Sequence, residues 1–122
     1  TNPPMRNISV HTYDINGVET DKFRRGDVVL IERDACVLDE GMAYFTRQLV
    51  RRDLPSVTYW MQHGPQALSK IPHPCRKSYN TITIPPLAEL GAYDYVVSLD
   101  FQNNPLTISH QILLVPQLKI LP

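Results

Sequence analysis

The side chains of this chain that could bind a metal, move a proton or attack a substrate are few and scattered. His11, His63, His73 and His110 contain no pair at the spacing a zinc site uses. His73 and Cys75 flank Pro74 and could approach one ion together, but two ligands are too few to hold it. Neither a Gly-rich phosphate loop nor a Gly-x-Ser-x-Gly elbow occurs. The adjacent acids Asp39 and Glu40 sit in a turn signal, where carboxylates are solvated. These patterns predict a protein that is not an enzyme and uses no metal or cofactor. Binding, not bond-making, is the expected activity.

Cys36 and Cys75 allow one pairing. As free thiols they would be small buried apolar groups. Bridged, they would close a 39-residue loop and, by chain entropy, stabilise the fold by roughly 4 kcal/mol. The bridge is the preferred reading for an all-β domain of this size. It predicts a location outside the reducing cytosol, in the periplasm or secreted.

Basic residues gather in the middle of the chain. Residues 1–42 carry a net −3, residues 43–80 a net +5 and residues 81–122 a net −2. Arg47, Arg51 and Arg52 lead the positive segment, joined by Lys70, Arg76 and Lys77. Arg47 and Arg51 are four residues apart, so on a strand they share a face. Such a strip is either a solvated outer face that protects an edge strand or a docking surface for an acidic partner. Val57-Thr58-Tyr59-Trp60-Met61 follows, with large apolar side chains on both faces. Aromatics, Met and Arg are enriched at protein interfaces, so Arg47, Arg51, Tyr59 and Trp60 are the predicted partner contacts. The overall charge of zero argues against nucleic acid, which needs a basic surface. Arg25-Gly26-Asp27 spells a tripeptide that integrins recognise, but its place before a Val-rich run points to a structural turn.

Composition indicates the scaffold. Val, Ile, Thr and Tyr total 33 of the 122 residues, against 13 for Ala, Glu and Lys, and 11 prolines interrupt any long helix. Strands are predicted over residues 8–13, 28–37, 43–51, 57–61, 79–84, 93–101 and 107–115, and residues 118–121 extend the last beyond Pro116. Residues 62–76, with three prolines and a Gly, are predicted as a loop. Tyr93 to Phe101 alternates most cleanly, with Tyr93, Tyr95, Val97, Leu99 and Phe101 on one face. The purely aliphatic runs reach four residues, far short of the roughly 20 that a membrane span requires. The chain starts at Thr1 without an initiator Met, so a leader or anchor could have been removed, and membrane attachment is expected only through an anchor absent here. One domain, 1–122, is expected.

The segment from Leu87 to Tyr95 resembles the tyrosine corner of immunoglobulin-like and fibronectin type III sandwiches. Tyr93 takes the corner position, Leu87 matches the buried Leu of the fibronectin version, and Gly91 supplies the small residue. The resemblance implies an all-β, immunoglobulin-like antiparallel sandwich of seven to eight strands in two sheets. It also implies that the corner hydroxyl bonds back to upstream backbone. In that topology the second and fifth strands are neighbours, so a Cys36–Cys75 bridge would tie them. Tyr95 stands where antibody-type domains carry their second Cys, so the chain departs from that class. More faintly, the order Gly26-Asp27, Cys36, Cys75-Arg76, Gly91-Ala92-Tyr93-Asp94-Tyr95, Asn104-Pro105-Leu106 resembles small phage-encoded periplasmic domains.

The expected function is a protein–protein interaction module outside the cytoplasm. The alternative is a structural component of a virion, pilus or envelope complex that self-associates through strand edges.

Overall fold

Alternating β-branched and aromatic residues build nine strands, and no helix, in the computed structural model, which describes residues 3–54 and 57–122. The strands are β1 (Met5–Tyr13), β2 (Lys22–Arg24), β3 (Val28–Val37), β4 (Gly41–Arg51), β5 (Val57–Leu68), β6 (Cys75–Thr83), β7 (Gly91–Asn104), β8 (Thr107–Ile112) and β9 (Gln117–Leu121). One sheet has the order β1-β3-β6 and the other β2-β9-β7-β4-β5, with β8 also paired to β7. The fold is a β-sandwich, as expected.

β7 is the spine of the larger sheet. Tyr93, Tyr95, Val97, Leu99 and Phe101 are all buried, as their alternation requires. They join Val29, Ile31 and Ile82 of the smaller sheet in one apolar cluster. β8 pairs with β7 from Ser98 to Asn104, and β9 with Gly91 to Asp94. Both lie along the edge of β7 opposite β4. The predicted return strand is thus two strands, because Pro116 offers no N–H to a continuous ladder.

The corner forms as the resemblance implies, with the Tyr93 hydroxyl donating to the Glu89 carbonyl at 2.7 Å. Leu87 corrects the expectation, being 91% exposed while Ala88 is 2% exposed. A tight turn, in which the Ala88 N–H donates to the Pro85 carbonyl, places Ala88 inward instead. Gly91 opens β7 at φ 131°, a backbone conformation that suits glycine. Arg25-Gly26-Asp27 is the expected turn: Gly26 has φ 83°, and the Asp27 carboxylate accepts from the Arg24 N–H at 2.8 Å.

Two elements differ from the prediction. β5 continues to Leu68, so only residues 69–74 link it to β6. Ala43 pairs with Gln66 and Phe45 with His63, which leaves Gly64 and Pro65 in a bulge. β5 is an edge strand, where a proline removes no needed ladder bond. The three-residue β2 was not expected. Its one buried residue, Phe23, is flanked by charges, and it pairs parallel with β9.

Cys36 and Cys75 face each other across β3 and β6 at disulfide distance, with sulfurs 1.99 Å apart. They join neighbouring strands, as the resemblance implies.

Candidate functional site

The sheets close tightly around β7 but not between the edge strands β5 and β6. Register with β3 places Asn80, Ser78 and Arg76 on the inward face of β6, opposite Ile31, Arg33 and Ala35. All three are exposed, where a sealed sandwich would carry apolar side chains. The result is a cleft of about 460 Å³ between the sheets, within the roughly 300–1,000 Å³ typical of ligand pockets. Its walls are mixed. Phe45, Val97, Leu113 and Tyr95 supply apolar surface, and His63, Gln66, Ser78 and Asn80 supply hydrogen-bonding groups. Arg33, Arg47 and Arg76 also line it, and no carboxylate does among the described residues; Lys77, beside Arg76 on β6, has the outward parity.

Two of these cations belong to the sandwich interior. Arg33 is 6% exposed and Arg47 is 7% exposed. Regular pairing of β4 with β7 puts Arg47 on the same face as the buried Ala43 and Leu49. Its guanidinium crosses to the smaller sheet, where Nη2 donates to the Thr81 carbonyl at 2.9 Å. Nε donates to the Tyr95 hydroxyl, and the guanidinium carbon sits 5.5 Å from that ring's centre. Arg33 shares a face with the buried Val29, Ile31 and Ala35, and its Nη1 donates across the gap to the Leu114 carbonyl at 2.7 Å. Its Nη2 is buried and has no acceptor among the described residues.

Neither guanidinium pairs with a carboxylate among the described residues. Buried cations usually have such a partner, because desolvation costs several kcal/mol per ion. Burial lowers the Arg33 pKa, partly offset by Tyr95, yet an arginine stays protonated in a protein. Burial raises the Tyr95 phenol above its ordinary value, while Arg47 and Arg33 pull it down. The floor of the cleft is therefore a positive centre built of two fixed cations and one neutral hydroxyl.

The predicted contact strip is placed differently. Arg47 is not on an outer face, because its strand parity turns it inward. Arg51 lies on that same parity at the end of β4, where its side chain is 14% exposed and pairs with Asp53 at 2.8 Å and Glu89 at 2.5 Å. The hydrogen bond to Asp53, helped by the charge of Glu89, raises the Arg51 pKa, and the same bond holds the Asp53 carboxyl below its ordinary range. Tyr59, opposite Leu49, packs half-buried against the core. The Trp60 side chain lies outside the described residues. Arg33 is not among the predicted contacts, although its parity with Val29, Ile31 and Ala35 signals an inward position. At the rim, Arg76 is held by the Ser69 and Ile71 carbonyls, and Lys77 stands 3.9 Å from Glu32. Cys75, bonded to Cys36, has no thiolate to offer a metal with His73.

No protein-family model matches the chain, and no curated protein matches it. Among solved structures, the chain is similar to the crystal structure of the C-terminal domain of Wzt. The TM-score is 0.66 at 10% identity, covering 99% of this chain and 75% of that one. At that identity the likeness supports the sandwich fold.

Proposed function

We propose that this chain is a non-enzymatic interaction module, exposed outside the cytoplasm, that receives an acidic segment of another protein in the cleft between β5 and β6. The observation that carries this reading is the lining itself, three inward-facing arginines with no carboxylate among the described residues around an open inter-sheet space. A segment bearing Asp or Glu would supply the missing counter-charge, while Phe45, Val97 and Leu113 would cover its apolar atoms. The Cys36–Cys75 pair supports an oxidising compartment. No helix among the described residues is long and apolar enough to cross a membrane. The corner bond of Tyr93 supports an immunoglobulin-like assignment within the sandwich folds. The phage-encoded periplasmic reading rests on the order of sequence motifs alone.

The test is capture of an immobilised peptide of alternating Glu and Tyr, with a Lys-Tyr peptide as control. The acidic peptide is expected to be retained at low salt and released as salt rises. Arg76→Glu, at the inward-facing rim position, should strongly weaken retention at an unchanged melting temperature. Equal retention of both peptides would defeat the proposal.

Assembly through strand edges is a second reading, favoured by β6. That strand ends its sheet and is exposed from Cys75 to Thr81, leaving edge donors and acceptors for another strand. Sedimentation velocity decides it: concentration-dependent growth supports assembly, and a constant monomer removes it.

A further inference from the structure

We infer that Arg33 and Arg47 form a carboxylate-anchoring subsite on the floor of the cleft, selective for a carboxylate attached to an apolar body. This rests on the cleft being the binding site, and it names the group bound there.

Both guanidiniums are committed on one side only. Arg33 uses Nη1 on the Leu114 carbonyl and leaves Nη2 without an acceptor. Arg47 uses Nε on the Tyr95 hydroxyl and Nη2 on the Thr81 carbonyl, leaving Nη1 without a described partner. The bonds already made hold each planar fork in place, so little rotamer entropy remains to be lost on binding. The Tyr95 hydroxyl, turned to accept from Arg47, is itself a donor for an anion. The two guanidiniums and the Tyr95 hydroxyl thus line one cleft, and part of its remaining wall is apolar. Val97, Phe45 and Leu113 supply that apolar part. A planar carboxylate suits paired guanidinium forks, and an aromatic or branched body attached to it would occupy the apolar surface.

The probe is 3-phenylpropionate, with 3-phenylpropionamide as its neutral isostere and acetate as the head group alone. Arginine Nε–Hε and backbone amide signals are followed by NMR at constant ionic strength. The expected result is saturable movement of the Arg47 Nε–Hε signal with 3-phenylpropionate. The amide and acetate should each bind at least tenfold more weakly. Arg33→Gln should weaken 3-phenylpropionate at least tenfold, and Arg33→Lys, which keeps the charge but loses the fork, should also weaken it. Equal binding of the amide, or an unmoved Arg47 signal in the native protein, would overturn the inference without any variant having to fold. Retention of the acidic peptide with no response to 3-phenylpropionate would overturn the anchor and leave the cleft reading standing. Binding of 3-phenylpropionate without any acidic peptide would support the anchor and point to a free acid as the ligand.

Discussion

Arg33 and Arg47 cross the space between the sheets in opposite directions. Arg33 starts on β3 and ends on the Leu114 carbonyl beside the larger sheet, while Arg47 starts on β4 and ends on the Thr81 carbonyl of β6. Each replaces interdigitated apolar side chains with a charged strut. Struts of this kind hold two sheets apart as well as together, which is how a sandwich keeps an open cleft at its edge. An apolar pair at these positions would let the sheets close.

The bond from Arg47 to Tyr95 should be measurable in stability and in its pH dependence. Tyr95→Phe keeps the ring under the guanidinium but strands a buried N–H. The expected loss is about 1–3 kcal/mol near neutral pH. Burial raises the native pKa of the phenol, so the fold holds this proton longer than the unfolded chain does. Its contribution is complete below the unfolded value of about 10 and is lost as pH rises through the native value. Urea denaturation at about pH 8 and about pH 10.5 should therefore show a steeper fall for the wild type than for Tyr95→Phe. Parallel falls would mean that Tyr95 titrates normally.

The Cys36–Cys75 cross-link closes a 39-residue separation that contains β4 and β5. Replacing both cysteines with alanine should cost roughly 4 kcal/mol by the loop-entropy argument. The urea midpoint should drop and the slope should rise, because the unfolded chain without the cross-link exposes more surface. Adding reductant to the wild type should reproduce the drop, and a midpoint indifferent to reductant would show that the cross-link is not formed.

What was legible in the sequence follows from which residues have one clean face. β7 alternates cleanly from Tyr93 to Phe101, so its buried row is legible there, and the corner is legible in the motif from Leu87 to Tyr95. β3 was placed from Val28 to Val37 as observed. The start of β6 is not legible, because its residues from Cys75 to Thr81 are exposed on both faces and present no apolar period. The second half of β5 is not legible, because Gly64 and Pro65 look like a loop unless a bulge on an edge strand is allowed. The site was half visible. Charge segregation pointed to the 43–80 region, but placing Arg47 outward followed residue type over strand parity. Ala43, Phe45 and Leu49 share that parity, and tertiary packing obeyed them.

The corner separates two neighbours that the motif confuses. Tyr93→Phe removes a 2.7 Å bond to the Glu89 carbonyl and should cost about 1 kcal/mol. Leu87→Ala, at a position 91% exposed, should change stability by less than about 0.5 kcal/mol. Ala88→Leu, at a position 2% exposed, should cost about 1–3 kcal/mol through overpacking. Thermal denaturation of the three variants ranks them directly. A large loss at Leu87 would restore the fibronectin-type packing that the motif suggested.

Gly41 opens β4 beneath the ring of Phe101. A Cβ added there would lie 2.8 Å from Phe101 Cζ and 2.9 Å from Cε2, closer than two carbons tolerate. Phe101 is 3% exposed and cannot swing into solvent. Gly41→Ala should therefore destabilise the fold by about 1–3 kcal/mol, the usual cost of forcing volume into a packed core. Phe101→Leu alone should also destabilise, by loss of buried ring area. Combined, the two should be less harmful than their sum, because the shorter side chain makes room for the new methyl group. A double-mutant cycle in urea measures that coupling, expected at about 0.5–3 kcal/mol in the compensating direction. Additive losses would show that Gly41 is required for its backbone conformation and not for the approach of Phe101.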